Sequence, residues 1–314
     1  MVTRQAEALA AAWPSARPVA TLDEALADPA IGLAVIATPN ALHAPQARAA
    51  LEAGKAVVID KPFALDLAEA RQVADLARAR GLFLSVFHNR RWDADFLALK
   101  AELDSGRLGD VRTFESRFDR FRPQVRDRWR ERDEPGGGIW HDLGPHLIDQ
   151  ALALFGLPLG ITCDLAVLRE GGQASDWAHA VLRYADRRII LHADMTSPAP
   201  GPRFAVHGSR ASWLKSGLDV QEDQLKAGLS VGGTGWGVDP SPAVRIDGAS
   251  GARETASGPP GDYLAFYDAV AAALSDGAAN PVPPEQALAV MAVLEAGIES
   301  DRRRAEVQMP AYHS

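Results

Sequence analysis

The sequence predicts an α/β protein in which a Rossmann-type parallel sheet is followed by a second α/β domain with an open antiparallel sheet. Early in the chain, short apolar runs alternate with helical patterns, as expected for parallel strands covered by helices. Further on, segments of alternating apolar and polar residues are joined by short turns, which favours antiparallel strands. The 314 residues suffice for two domains, and we expect them over 1–89 and 90–314.

The first domain is predicted to repeat a cycle of strand, loop and helix. An Ala-rich helical pattern from Arg4 to about Trp13 comes first, followed by a helix capped by Thr21 and Glu24. The strands are predicted at Ile31–Ala37, Ala56–Ile59 and Leu82–Phe87, and the helices between them at Ala44–Gly54 and Leu67–Arg80. Such continuous apolar runs are typical of strands buried on both faces.

Polar residues follow each of these strands, and the carboxyl ends of parallel strands share the sheet edge where ligands bind. They are Thr38 and Asn40 after the first strand, Asp60 and Lys61 after the second, and His88 and Asn89 after the third. Pro62 holds Lys61 in extended geometry and so fixes the direction of its ammonium. A strand-end lysine in solvent would give the same pattern, but its place on this edge favours a functional role.

The second domain is predicted to begin with a helix from Asp93 to Leu103 and to continue as antiparallel strands. The strands are expected at Val111–Phe121, Ile161–Leu168, Ala178–Tyr184, Arg188–Met195 and Phe204–Gly208. Because residues 228–261 are rich in Gly, Pro and Ser, we expect a long irregular excursion there. Helices from Tyr263 to Leu274 and from Pro284 to about Arg304 close the chain.

The stretch 136–149 carries the strongest candidate for chemistry. Three consecutive glycines allow the backbone to approach a ligand closely, and Pro145 is well placed as the first residue of a helix that runs to about Phe155. Asp142 then lies at or just before the helix start, and His146 projects on the same side four residues later. A carboxylate and an imidazole that converge are acid–base equipment. A glycine turn, a helix cap and a half-exposed histidine would give the same pattern.

Lys61, Asp142 and His146 together supply what the oxidation of an alcohol needs. One group accepts the hydroxyl proton, a cation stabilises the developing alkoxide, and a carboxylate orients the imidazole while hydride leaves from carbon. His141 and His146 are five residues apart and do not match the paired histidines of a zinc helix, so we predict no metal site. Three further histidines fall in strand patterns and are predicted to be structural: His179, His192 and His207.

Arginines recur between positions 117 and 132, interleaved with aspartates and glutamates. A solvated, self-paired segment is the default interpretation of such a pattern. Because the segment leads directly into the glycines, we also predict that Arg122, Trp129 or Arg130 reaches the substrate or the cofactor.

Composition favours a small-molecule partner. The formal net charge of −8 argues against nucleic acid or an anionic membrane as the main partner. The single cysteine, Cys163, excludes an intramolecular disulfide and suits a reducing compartment. No apolar run is long enough to span a bilayer, and the N-terminus lacks the layout of a secretion signal. We therefore expect a soluble, cytoplasmic protein.

Three motifs resemble the Gfo/Idh/MocA family of nicotinamide-dependent sugar and polyol dehydrogenases, and the match covers nearly the whole chain. They are Ala37-Thr38-Pro39-Asn40-Ala41-Leu42-His43, Asp60-Lys61-Pro62, and the glycine triplet with Asp142 and His146. Two segments, 87–93 and 144–150, are similar to a branch that includes NADP-dependent scyllo-inositol dehydrogenases. The resemblance implies hydride transfer between NAD(P) and a hydroxyl of a cyclic polyol or sugar.

The resemblance also implies roles for individual residues. Lys61, Asp142 and His146 are expected to be catalytic. The cofactor cleft is expected to be lined by Thr38, Asn40, His43, Asp60, Lys61 and Asn89. Asp60 stands where the family usually has glutamate, and we expect this shorter carboxylate to be tolerated.

One feature of the family is missing, because no Gly-x-Gly-x-x-Gly occurs near the N-terminus. The family begins with a strand, that glycine loop, a helix and a second strand, and this sequence starts at the second strand's last residues. A truncated start is the simplest explanation. It would leave the strand over 34–37 without a neighbour and the pyrophosphate without a helix N-terminus.

The tip of that second strand bears on the choice of cofactor, because it meets the adenosine ribose in these folds. The tip contains no carboxylate for the free 2′-hydroxyl of NAD, whereas Thr3 and Arg4 offer a hydroxyl and a guanidinium for a 2′-phosphate. We therefore predict that NADP is preferred over NAD, although Arg4 could simply be a solvated residue.

The antiparallel sheet is expected to carry an apolar face at Ile189, Leu191 and Ala193, which alternate along one strand. A large bare face is an aggregation liability, and the resemblance suggests that another copy of the chain covers it in a homo-oligomer. Two alternatives to the dehydrogenase stay open. One is a catalytically inactive sugar- or nucleotide-binding relative, because the phosphate loop is absent. The other is a lyase or hydrolase that uses bound NAD transiently, without net cofactor turnover.

Overall fold

The fold is described from a computed structural model that covers residues 1–2, 7 and 13–309. Thr3, Arg4 and most of the Ala-rich segment that follows lie outside the described residues. The chain forms two compact units. The first comprises Met1–Phe87 with Val282–Pro284, and the second comprises His88–Pro281 with Glu285–Ser314. None of the described helices is long and apolar enough to cross a membrane.

The first unit alternates helices and strands as the sequence predicts. Its elements are α1 (Leu22–Leu26), β1 (Leu33–Ile36), α2 (His43–Glu52), β2 (Ala56–Asp60), α3 (Leu67–Arg80) and β3 (Leu84–Phe87). The hydroxyl of Thr21 accepts a hydrogen bond from the Glu24 backbone N–H at 3.2 Å, which caps α1. Gly81 ends α3 in the left-handed region, with φ of 62°.

The three strands of this unit form a parallel sheet in the order β1-β2-β3. Val57, Val58 and Ile59 of the central strand are fully buried, as expected for a strand covered on both faces. Among the described residues β1 pairs with β2 alone, and its Val35 is 51% exposed. The predicted Rossmann-type sheet is confirmed.

The second unit contains a long mixed sheet and five α-helices within the described residues. Its helices are α4 (Ala94–Asp104), α5 (Ile139–Phe155), α6 (Gln221–Lys226), α7 (Leu264–Asp276) and α8 (Pro284–Arg303), the last beginning at a residue of the first unit. Its strands are β4 (Val111–Asp119), β5 (Gly160–Ala166), β6 (Trp177–Arg183), β7 (Arg188–Asp194), β8 (Phe204–Gly208), β9 (Ala211–Lys215), β10 (Ala243–Asp247), β11 (Arg253–Ala256) and β12 (Val307–Gln308).

The sheet of this unit has nine strands in the order β11-β10-β9-β8-β4-β7-β6-β5-β12. One pairing differs from the predicted antiparallel sheet, because β4 and β7 run parallel, with Phe114 opposite Ile189. In the chain, α5, β5 and β6 lie between β4 and β7, so this pairing joins residues that are far apart in the sequence. The predicted excursion over 228–261 is also corrected, since it contains β10 and β11.

The helix α5 covers one face of the sheet, and its last residue, Phe155, contacts Phe114 edge to face at 5.4 Å. Ile189, Leu191 and Ala193 are fully buried on this face. The expectation that these three residues pack against another copy of the chain is therefore wrong. The alternation along β7 was predicted correctly. The partner of this face is α5 rather than a second chain, because the sequence pattern does not show on which face of the sheet a helix packs.

The opposite face of the sheet carries larger side chains, all of them partly exposed except His192, which is buried. They are Trp177, His179 and Val181 of β6, and Ile190 and His192 of β7. The Nδ1 atoms of His179 and His192 lie 3.3 Å apart, and Trp177 stacks on His179 with ring centroids at 6.0 Å. Burial lowers the pKa of both histidines, and nearby Arg117 lowers it further. We refer to these five residues as the open face.

Candidate active site

Two loops at the carboxyl edge of the parallel sheet are joined by His43. Its ring is buried, with Nδ1 2.7 Å from the carbonyl oxygen of Pro62 and Nε2 2.8 Å from that of Thr38. The loop after β1 is therefore held against the loop after β2. The resemblance places His43 in the lining of the cofactor cleft, whereas the structure gives it an interior position that supports the two loops.

The polar residues of this edge lie at the carboxyl ends of β1 and β2, as the sequence predicts. The carboxylate of Asp60 accepts a hydrogen bond from the backbone N–H of Lys61 at 2.8 Å, and the Lys61–Pro62 bond is cis. The hydroxyl of Thr38 donates to Gln46 at 2.8 Å. Asn40 is 7% exposed, so its amide contributes little surface to the edge.

These residues fit part of the nicotinamide cofactor that the resemblance implies. Thr38, Asp60 and Lys61 bring a hydroxyl, a carboxylate and an ammonium to the edge where nucleotides bind in parallel sheets. Such groups can donate to and accept from a ribose and a carboxamide. The sequence contains no glycine loop for the pyrophosphate near its N-terminus. The fit therefore covers the ribose and nicotinamide part of the cofactor.

In the second unit, the glycine stretch leads into α5 earlier than the sequence predicts. The helix begins at Ile139, so Pro145 lies inside it and Asp142 lies in its first turn. Gly138 has φ of 87°, and a Cβ built there would lie 2.6 Å from the Ser175 hydroxyl. A Cβ on Gly137 would lie 2.3 Å from the Arg132 carbonyl oxygen. The missing side chains of Gly137 and Gly138 therefore leave room for neighbouring atoms of the protein itself.

One face of α5 presents the candidate catalytic residues. Asp142, His146 and Asp149 follow one another at intervals of four and three residues, which places them along the same side of a helix. His146 and Asp149 are buried, whereas the Asp142 side chain is 22% exposed and lies 3.4 Å from the Arg130 guanidinium. The convergence of a carboxylate and an imidazole that the sequence suggests is therefore available on α5, with an arginine beside it.

Asp149 is held by a bidentate contact that the sequence analysis missed. Its two oxygens accept hydrogen bonds from Arg91 at 2.9 and 2.6 Å, and the ring of His88 lies 4.0 Å away. The spacing from Asp142 and His146 was a readable signal for Asp149. Asn89, predicted at the cofactor cleft, belongs to the same short helical turn as Arg91 in the second unit.

The arginine-rich segment is clamped by Arg169, which lies in the connection between β5 and β6. Its guanidinium lies 3.1 Å from Glu131 and 2.9 Å from Asp176, and it also donates to the backbone carbonyl oxygens of Arg122 and Gln124. Glu131 in turn accepts hydrogen bonds from Arg128 and the backbone of Arg126. All three charged side chains of this clamp, Arg169, Glu131 and Asp176, are less than 9% exposed.

The end of β4 and the residues that follow it line a cavity of about 400 Å³, and all of its lining residues belong to the second unit. Its volume is within the range of small-molecule sites, roughly 300–1,000 Å³. It is lined by Arg90, Phe118, Arg120, Arg122, Glu222 and Lys226, among others. The guanidinium groups of Arg90 and Arg120 lie 4.8 and 4.6 Å from the centre of the Phe118 ring. We call this space the arginine cavity.

The arginine cavity lies within electrostatic range of Asp142, whose charge acts on both Arg120 and Arg122. Of the three predicted substrate-binding residues, Arg122 lines the cavity, whereas Arg130 contacts Asp142 and stacks on Trp129 at 4.6 Å. Arg120 was missed by the sequence analysis, although it belongs to the same run of arginines.

Comparisons with known proteins agree with this architecture. A model of the oxidoreductase family's NAD-binding Rossmann fold matches residues 2–88, and a model of its C-terminal alpha/beta domain matches residues 100–309. The uncharacterized oxidoreductase YdgJ of Escherichia coli is 53% identical over 93% of this chain and 85% of its own. The scyllo-inositol 2-dehydrogenase (NADP(+)) IolW of Bacillus subtilis is 36% identical over 98% of this chain and 87% of its own.

A solved structure extends the agreement to three dimensions. The crystal structure of an oxidoreductase from Bacillus cereus is 32% identical and superposes with a TM-score of 0.90, covering 100% of this chain and 91% of that one. Both units are thus matched by family models in chain order. The chain belongs to the Gfo/Idh/MocA family of oxidoreductases.

Proposed function

We propose that this protein transfers a hydride between NAD(P) and a secondary hydroxyl of a cyclic polyol or sugar, with inositol-like compounds as the first candidates. The observation that carries the proposal is the pair Asp142 and His146, one turn apart on α5, in a chain of an oxidoreductase family. Relatives named as a scyllo-inositol dehydrogenase, an inositol 2-dehydrogenase and a 1,5-anhydro-D-fructose reductase support the substrate class.

In the proposed reaction, His146 accepts the proton of the substrate hydroxyl as its O–H bond breaks. Asp142 orients the imidazole and balances the positive charge that forms on it. The ammonium of Lys61 stabilises the alkoxide, and Thr38 and Asp60 bind the cofactor. When bound, the nicotinamide would supply the acceptor for the hydride that leaves the substrate carbon with both electrons of the C–H bond. The products are a ketone, the reduced cofactor and a proton on His146.

The assignment is tested by Lys61→Met and His146→Ala. Each is expected to lower kcat by about a hundredfold or more while the affinity for cofactor changes little, because each removes a proton or charge role in the transition state. Lys100→Met and His207→Ala, at exposed positions, are the matched controls and should retain activity. Near-normal turnover in either test variant would contradict the role of that residue.

Hydride transfer should be assayed on the chain as printed and on a longer chain that begins with the family's first strand, glycine loop and helix. Reduction of NAD(P) by an inositol or aldose in either protein supports the dehydrogenase. A catalytically inactive binding relative would bind sugar in both forms without reducing the cofactor. A lyase or hydrolase would consume substrate with no net cofactor turnover.

We also propose that NADP is preferred over NAD, since the IolW relative is named as NADP-linked and Arg4 can form a bidentate contact with a 2′-phosphate. Arg4→Ala is expected to weaken NADP binding far more than NAD binding in the longer chain. An equal loss for both cofactors, measured by titration, would contradict this proposal.

We further propose that the chain is a cytoplasmic homo-oligomer that pairs through the open face. Trp177, Val181 and Ile190 give this face apolar surface that α5 does not cover. Sedimentation at micromolar concentration is expected to show a dimer or a larger assembly. A stable monomer under these conditions would argue against an interface there.

A further inference from the structure

The charges around the arginine cavity fall into two groups. The first group is neutralised within the protein. Arg90 pairs with Asp93 at 3.0 Å and with Glu222 at 2.5 Å, and Lys226 pairs with Asp223 at 2.9 Å. Two further carboxylates of the lining also have partners: Asp119 pairs with Arg117 at 3.0 Å, and Asp219 accepts the backbone N–H groups of Ala94 and Gln221.

Arg120 and Arg122 form the second group. Among the described residues, no carboxylate lies within 4.0 Å of either guanidinium, and neither side chain donates a hydrogen bond to the protein. Asp142 and Glu222 attract Arg120 only from farther away. The Cζ atom of Arg120 lies over the ring of Phe118, 4.6 Å from its centre, a contact that uses none of the guanidinium N–H groups as hydrogen-bond donors to a carboxylate.

The electrostatics of this second group are unfavourable without a further anion. Burial, together with the neighbouring charges of Arg122 and Arg90, lowers the pKa of Arg120 to about 10. Burial, Arg128 and Arg126 lower the pKa of Arg122 in the same direction. Arg120 and Arg122 both line the cavity and repel each other, and an anionic group bound between them would relieve that repulsion.

The backbone fixes the two arginines in place. The N–H of Arg120 donates to the Asp194 carbonyl at 2.7 Å, and the N–H of Arg122 donates to the Met195 carbonyl at 2.8 Å. Arg169 also holds the Arg122 carbonyl at 3.0 Å. A pair of guanidinium groups on a fixed backbone is suited to oxygens of one carboxylate or phosphate, which each group can bind through two N–H bonds.

We propose that the substrate carries an anionic group, a carboxylate or a phosphate, which Arg120 and Arg122 bind in the arginine cavity. The inference rests on the proposed function, because it places a sugar acid or a phosphorylated polyol where that proposal has a neutral one. The anionic group takes no part in the redox step. It orients the ring so that one of its secondary hydroxyls is presented for oxidation.

The test compares acids with their neutral parents on the full chain in the presence of NADP. The probes are D-glucuronate against D-glucose for the carboxylate, and myo-inositol 1-phosphate against myo-inositol for the phosphate. Binding is measured by isothermal titration calorimetry, separately from turnover. One acid is expected to bind at least about 10-fold more tightly than its parent. Its affinity should fall as NaCl is raised, because salt screens the ionic contact.

Two variants assign the effect to residues. Arg120→Met and Arg122→Met are expected to weaken binding of the preferred acid by about 10- to 100-fold. Arg302→Met removes an exposed arginine of α8 that pairs with Glu299, and it should leave the affinity for the acid unchanged. The comparison of acids with parents on the unchanged chain remains decisive should either variant fail to fold.

The outcomes separate this inference from the proposed function. Neutral parents that bind and are oxidised as well as the acids, or acids that do not bind, overturn the inference and leave the dehydrogenase standing. An acid that binds through Arg120 and Arg122 but reduces NADP in neither the printed chain nor the longer chain supports anion binding in the cavity and contradicts the dehydrogenase. A preference that persists in both variants also overturns the inference, since the anion would then bind elsewhere.

Discussion

Arg169 and Arg120 lie in the same unit, and both are largely enclosed, yet their surroundings differ in charge. Arg169 has Glu131 and Asp176 within 3.1 Å, and all three side chains are nearly inaccessible to solvent. Arg120 lies over the ring of Phe118 and lines the arginine cavity, with no carboxylate within 4.0 Å among the described residues. The protein therefore provides carboxylate partners for Arg169 and none within 4.0 Å for Arg120 among the described residues.

This difference teaches how to separate structural arginines from binding arginines in one segment. The default interpretation of the sequence, a self-paired segment, holds for Arg128 and Arg132, which pair with Glu131 and Asp127. It does not hold for Arg120 and Arg122. Sequence alone shows the alternation of charges, but only the fold shows which charges face one another.

The largest effect is expected from Arg169→Met. The substitution leaves the buried carboxylate of Asp176 without a cation and removes one of the two guanidinium partners of buried Glu131, and breaking a buried pair in this way typically costs about 3–5 kcal/mol. We expect the free energy of unfolding of the second unit to fall by that amount. Urea unfolding followed by tryptophan fluorescence reports on this unit, because Trp140 and Trp213 are buried in it.

Arg302→Met is the matched control for this prediction. Arg302 pairs with Glu299 at 2.7 Å but is 68% exposed, and exposed pairs contribute about 0–1 kcal/mol. If the two variants lost the same stability, Arg169 would not act as a clamp. The loop that it holds would then need another explanation for its position.

The first unit shows how far sequence reasoning reaches. Its strands and helices were predicted in the right order because each signal is local: apolar runs over 31–37 and 56–59, the cap at Thr21, and a glycine at position 81. Parallel pairing followed from the alternation of strands and helices, which leaves few other arrangements. The polar residues of the sheet edge were found for the same reason.

The second unit shows where sequence reasoning stops. The parallel pairing of β4 with β7 joins strands separated by a helix and two other strands, and no local pattern encodes it. The short strands β10 and β11 were missed because glycines and serines around them resemble a loop. The start of α5 was placed too late because Pro145 suits a first turn, whereas the helix begins at Ile139 after Gly138, which provides no side-chain cap.

The candidate site divides in the same way. Lys61, Asp142 and His146 were found because motifs and spacing mark them, and their catalytic roles stay predictions. Asp149 was within reach of the same helical spacing. Arg169 gave no signal, because a lone arginine in a connection is identified as a clamp only by the carboxylates around it.

The smallest effect on stability is expected from Arg120→Met, and this prediction tests the comparison from the other side. The substitution removes no ion pair, relieves repulsion with Arg122 and Arg90, and keeps a flexible side chain against Phe118. We expect the free energy of unfolding to change by less than about 1 kcal/mol in the same urea experiment.

A loss as large as that of Arg169→Met would mean that Arg120 stabilises the fold, and its place in the cavity would then say nothing about a ligand. A stable, folded Arg120→Met protein would show that the protein does not need this cation for its own structure, which is the condition for assigning the cation to a substrate.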